Sequence, residues 1–116
     1  MSVSPMHSSP DDGVNQRRAE LAELMKRFAP QDGVYSTAID TLNIVRCDQP
    51  TDALHVVHKP GLCVIVEGRK EVRLADERYV YDPLNYLVVS VTLPLAGQVV
   101  EASPERPYLC VRLDID

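Results

Sequence analysis

A chain of 116 residues and 12.9 kDa has the length of one domain, and 45% hydrophobic with 25% charged residues excludes collagen, coiled coil and wholesale disorder. Twelve Lys and Arg against seventeen Asp and Glu leave a net charge of −5 and a pI of about 5.1, which lacks the broad basic field that binding a DNA or RNA duplex requires. The longest apolar run, 86–100, is broken by Ser90, Thr92, Pro94, Gly97 and Gln98 and cannot span a membrane.

Residues 1–14 hold four Ser, two Pro and one Gly with few apolar side chains, and carry neither the basic nor the apolar block of a signal peptide. Such a segment offsets little of its ordering entropy, so a flexible tail is expected there and a single domain over 15–116. From Asn15 to Ala29 the apolar positions Leu21, Leu24, Met25 and Phe28 fall at i, i+3, i+4 and i+7, the stripe of one helix. Arg17, Arg18, Lys26 and Arg27 alternate with Glu20 and Glu23 around it, which reads as a solvated face. Pro30 and Gly33 stop the helix.

Beyond Gly33 the period changes from 3.6 to 2. Strands are expected at 42–47, 54–57, 62–67, 71–75, 78–81, 86–93, 98–102 and 108–114, each bounded by Pro, Gly, Asp or Asn. Asp76-Glu77 between two alternating runs predicts a hairpin turn. Many short strands with one helix predict a mainly β chain, a sandwich or small barrel with the helix docked on an outer face. Runs such as Leu62–Val66 are apolar on both faces, as strands buried between a roll's interior and a covering helix would be.

The chemistry-bearing residues are sparse. His55 and His58 frame His-Val-Val-His, and in a strand side chains three apart point to opposite faces, so the pair cannot share a metal. Glu67, before the turn at Gly68, is the one nearby carboxylate that could complete such a site. Neither G-x-S-x-G nor a phosphate-cradling glycine loop occurs. Cys47, Cys63 and Cys110 are odd in number, widely spaced and without C-x-x-C, which argues for reduced thiols in a cytoplasmic protein, packed in apolar strands. Tyr79 and Tyr81 share one strand face, either lining a pocket or filling the core.

Three blocks carry a resemblance in order: Tyr81-Asp82-Pro83, Tyr86–Val91 and Gly97–Glu105, within a stretch reaching from about residue 18 to 116. They resemble the N-terminal domain of a branch of the AraC-type bacterial transcription regulators. The resemblance implies a cupin-like double-stranded β-helix, a jelly-roll barrel with one N-terminal α-helix, that senses a small-molecule effector or forms a homodimer. It assigns DNA binding to a C-terminal helix-turn-helix pair; the sequence stops at Asp116 with no such pair, which implies an excised sensor domain or a truncated protein. Metal-dependent cupins carry H-x-H, a later Glu and a further His. Here the spacing is wrong and no His follows His58, the last position falling near Leu95, so neither metal nor cofactor is expected. Cupin strand parity, carried over, points Cys63, Ile65, Glu67, Tyr79 and Tyr81 into the roll as an effector pocket, with Tyr81 and Glu67 its polar contacts. The alternatives are a small cupin enzyme, an isomerase or oxygenase, and an effector-free dimerisation module.

Overall fold

The computed structural model describes residues 3–7, 12–83, 85–89 and 93–115, with backbone alone at 3–7, 12, 54–58, 85 and 93. In chain order the elements are β1 (Val3–His7), α1 (Asp12–Phe28), β2 (Gly33–Ser36), β3 (Leu42–Cys47), β4 (Leu54–His58), β5 (Gly61–Glu67), β6 (Arg69–Leu74), β7 (Glu77–Tyr81), β8 (Asn85–Val89), β9 (Leu93–Glu101) and β10 (Tyr108–Asp114). Val, Ile, Leu and Tyr at alternating positions give strands because their branched or flat side chains suit a pleated, half-buried surface.

Two antiparallel sheets form, one in the order β1-β8-β5-β10-β3-β2 and one in the order β4-β9-β6-β7. The pairing is nested: β6 pairs β7, β5 pairs β8, β4 pairs β9 and β3 pairs β10. The chain from β3 to β10 is thus one long hairpin, wound so that the two legs cross repeatedly between sheets. That winding is a jelly roll, and the pairings β5·β10 and β6·β9 stitch its turns together. The fold expectation holds: mainly β, two packed sheets, one helix.

The interior is apolar. Ile65 and Cys110 from the larger sheet meet Val72, Tyr81 and Leu95 from the smaller, all 7% exposed or less. A second, smaller cluster lies outside the roll, where α1 packs on the far side of β5 and β10 through Ala22, Met25, Val66 and Leu109.

Five local expectations need correction. Val3–His7, expected in a loose tail, pairs antiparallel with β8, because an edge strand offers unpaired backbone groups to any extended segment. The helix begins at Asp12 rather than Asn15, and β2, unexpected, pairs with β3. The hairpin turn is Ala75-Asp76, not Asp76-Glu77: Leu74 pairs with Glu77, and Ala75 takes a positive φ of 53°. The run expected as one strand, 86–93, is two, β8 ending at Val89 and β9 starting at Leu93.

The helix also buries a different stripe. Met25 is buried, but Leu21, Leu24 and Phe28 remain 43%, 59% and 49% exposed, and the other contacts are Ala22 and Ala29. Two alanines let the helix backbone approach the sheet closely. Arg18 then reaches the end of β5, donating to the Val66 carbonyl at 3.0 Å.

Candidate functional site

Between the sheets a cleft of about 320 Å³ opens beside the core. Its floor is the inner face of three neighbouring strands, β3, β10 and β5, which bring Cys47, Cys110 and Cys63 to one wall. Val34, Val45 and Val99 extend that apolar surface, and Tyr108 backs it. Among the described residues four polar side chains reach the lining, Thr51, Lys70, Gln98 and Arg112, and no Asp or Glu does. The volume is at the lower end of the range of about 300–1,000 Å³ usual for small-molecule sites.

The Cys110 thiol on this wall is not poised for nucleophilic chemistry. Hydrogen bonding with Cys63 and complete burial push the Cys110 thiol well above its ordinary value, so it stays protonated. Cys47 donates its S–H to the Gln49 carbonyl at 3.0 Å. Burial likewise pushes the Tyr108 phenol well up. Among the described residues no group of three His, Cys, Asp or Glu side chains is placed to hold a metal ion. The side chains of His55 and His58, on β4, lie outside the described residues.

Of the five residues carried onto the pocket by parity, only Cys63 lines the cleft. Ile65 and Tyr81 are buried core beside it, 2% and 1% exposed. Burial raises the Tyr81 phenol to about 12, and its buried hydroxyl has no hydrogen-bond partner among the described residues. Tyr79 packs its ring 6.5 Å from that of Tyr81, as their shared face requires, yet its hydroxyl reaches outward and donates to Glu77 at 2.9 Å. That bond raises the Tyr79 phenol.

Glu67 is not in the interior. In the ladder with β10, Cys110 opposes Ile65 and Leu109 opposes Glu67, so Val66 is an extra residue. This bulge breaks the strict alternation on which parity depends, turning Glu67 to the outer side with Leu109. There its carboxylate accepts from Arg18 at 3.0 Å and from Arg106 at 3.2 Å. It stands on the rim of a different, charged hollow of about 280 Å³, with Arg69, Asp82, Glu101 and Arg106. Tyr81 and Glu67 therefore do not form one pocket.

Lys70 and Arg112 are the site residues that sequence reading missed. With β6 expected from Glu71, Lys70 fell into the turn after Gly68; the strand starts at Arg69, and Lys70 then shares the inward face with the core residue Val72. A lysine in alternation with Val72 and Leu74, on their side of the strand, was the available signal.

Comparison with known proteins matches residues 38–116 to the family described as AraC-type transcriptional regulator N-terminus. No curated protein matches. Among solved structures, a mutant salicylate 1,2-dioxygenase from Pseudoaminobacter salicylatoxidans, in complex with gentisate, is similar at 12% identity and a TM-score of 0.42. The alignment covers 90% of this chain and 33% of that one, and likeness at this level carries no argument about chemistry. The family match spans most of the roll, from just before β3 through β10, which is the part that encloses the cleft. The chain belongs to the AraC-type transcriptional regulators, as their N-terminal domain.

Proposed function

We propose that this domain works by binding a small effector in the inter-sheet cleft, without catalysing a reaction on it. The observation that carries this reading is the cleft itself: an apolar wall shared by both sheets, with a few polar tips and a buried, protonated Cys110 thiol. Occupancy would bear on both sheets at once, and that is how a signal leaves such a site. DNA contact belongs to another part of the regulator, since this domain carries −5 net charge and its helical cations are interleaved with acids. A thermal-shift screen of the 116-residue chain against a metabolite panel tests the reading. A ligand present at 100 times its Kd adds about 2.7 kcal/mol of stability; no stabilising compound in a broad panel overturns it.

The domain also forms a homodimer through α1. Val14, Leu21, Leu24 and Phe28 are exposed along one side of the helix, at the spacing of a two-helix seam. In an antiparallel pairing the exposed Glu20 of one copy faces Arg27 of the other, twice by symmetry. Leu24→Lys should convert the dimer to a monomer in analytical ultracentrifugation with the circular dichroism spectrum unchanged, and a wild-type monomer at tens of micromolar would remove this second reading.

A further inference from the structure

We propose that the inter-sheet cleft receives a small, mainly apolar molecule bearing one carboxylate, and that the Lys70 ammonium is the group that binds it. This rests on the cleft being the effector site and names the chemistry of what enters it.

Among the described residues, five Lys or Arg side chains belong to half-buried residues: Arg18, Lys26, Arg46, Lys70 and Arg112. Four of them hold a carboxylate within 3.0 Å: Arg18 with Glu67 at 3.0 Å, Lys26 with Glu23 at 2.8 Å, Arg46 with Asp48 at 2.8 Å and Arg112 with Asp114 at 3.0 Å. Lys70 is the fifth, and among the described residues no carboxylate or hydrogen-bond acceptor meets its Nζ. The adjacent acid, Glu71, points to the other face of β6, where it takes Arg73 at 3.1 Å and Arg78 at 3.6 Å. Withdrawing a cation from water without a partner costs free energy, and a chain that supplies partners to the other four leaves this one for something else.

Position agrees with that role. Lys70 occupies an inward register position, opposite Val99 on β9 and Tyr81 on β7. Its stem crosses β9 at Gly97: a Cβ built there would lie 3.3 Å from Lys70 Cε and 3.8 Å from Nζ. The glycine keeps open the path by which the ammonium reaches the cleft. Across the cleft stand valines and thiols, a surface for an aliphatic chain or a ring rather than for a sugar. One point-like cation in an apolar setting suits a single carboxylate; a phosphate dianion would call for several donors or an arginine fork, and Arg112 is already engaged by Asp114.

Matched probes decide it. Calorimetric titration of the whole chain with benzoate, phenylacetate and hexanoate, beside the corresponding amides, should show the acids binding at least tenfold more tightly. Lys70→Gln should abolish that preference, so that acid and amide bind alike; Gly97→Ala, which crowds the Lys70 stem, should weaken the acids and spare the amides. If acids and amides bind the wild-type protein equally, the cleft remains an effector site and the carboxylate proposal falls. Binding by neither series, with a neutral compound from the metabolite screen binding instead, also overturns it. Binding by no compound of any kind removes the effector reading with it. Circular dichroism of both variants confirms the fold, and the two act on the ammonium by different routes, so failure of one to fold leaves the other decisive.

Discussion

Around Glu67 the protein brings charges together and satisfies them, whereas three residues later, at Lys70, it turns a charge inward and leaves it alone. The Glu67 carboxylate is shared by Arg18 from the helix and Arg106 from the β9–β10 connection, tying α1 and that connection to the end of β5. Its side chain is 15% exposed and that of Arg18 16%, so their contact is partly desolvated and holds structure, while Arg106 stays 77% exposed. Lys70 ties nothing. The difference separates a charge that fixes the fold from one held for a ligand, and position alone does not reveal it: both residues flank the same Gly68 turn.

The turn itself gives the largest expected effect. Gly68 has a φ of +84°, and an added Cβ would stand 2.7 Å from the Glu101 carbonyl oxygen and 2.8 Å from Tyr108 Cα. Both are backbone atoms and cannot swing aside. Gly68→Ala should therefore cost about 2–5 kcal/mol, combining a disfavoured backbone conformation with overpacking, and appear as a lower urea midpoint. Retention of the wild-type midpoint would mean that the turn is less constrained than these distances require.

Next come the two charges, whose removal should act in opposite directions. Glu67→Gln leaves Arg18 half-buried with its ion pair gone and should cost about 1.5–3 kcal/mol. Lys70→Met removes an unpartnered cation from an apolar setting and should be neutral or stabilising by up to about 1 kcal/mol. Chemical denaturation of both variants checks the contrast; equal losses would erase the distinction between the two regions.

A smaller effect appears in alkali. The unfolded chain ionises its tyrosines near the ordinary value of about 10, while burial raises Tyr81 to about 12 and Tyr108 well above 10. Because the folded state holds those protons longer, the stability these two phenols contribute should be level below pH 10 and fall as pH rises from 10 to 12, beyond the decline that the buried Cys110 thiol begins near 9. Tyr81→Phe should shallow that decline. It should also cost little at pH 7, since the deleted hydroxyl has no partner among the described residues. An unchanged slope in the variant would contradict the assigned burial.

Strand existence was legible because alternation and punctuation by Pro, Gly and Asp are local: β3 and β10 have the bounds their sequences suggest. Site geometry was not, because it turns on two events that alternation cannot carry. The extra residue Val66 sent Glu67 outside, and the early start of β6 at Arg69 placed Lys70 inside. The helix stripe failed for a related reason. Hydrophobicity ranks Leu24 above Ala22, but close packing against Val66 and Leu109 selects the smaller side chain.

The nested pairing has a kinetic consequence. Only β6 and β7 can zip across a two-residue turn; each further pair, out to β3 against β10, must close a longer loop that the previous pair has already shortened. Assembly then runs outward from the Ala75-Asp76 hairpin, with the β3·β10 ladder forming last and its Leu42–Leu113 end closing it. Rates in the range of about milliseconds to seconds follow from such non-local topology. Perturbing Val72 should slow folding, and perturbing Val45 should chiefly hasten unfolding, a division that chevron plots resolve. The strand that completes the cleft would then also be the one that releases first, so a bound effector would lengthen the lifetime of the folded domain before it altered how fast the domain forms.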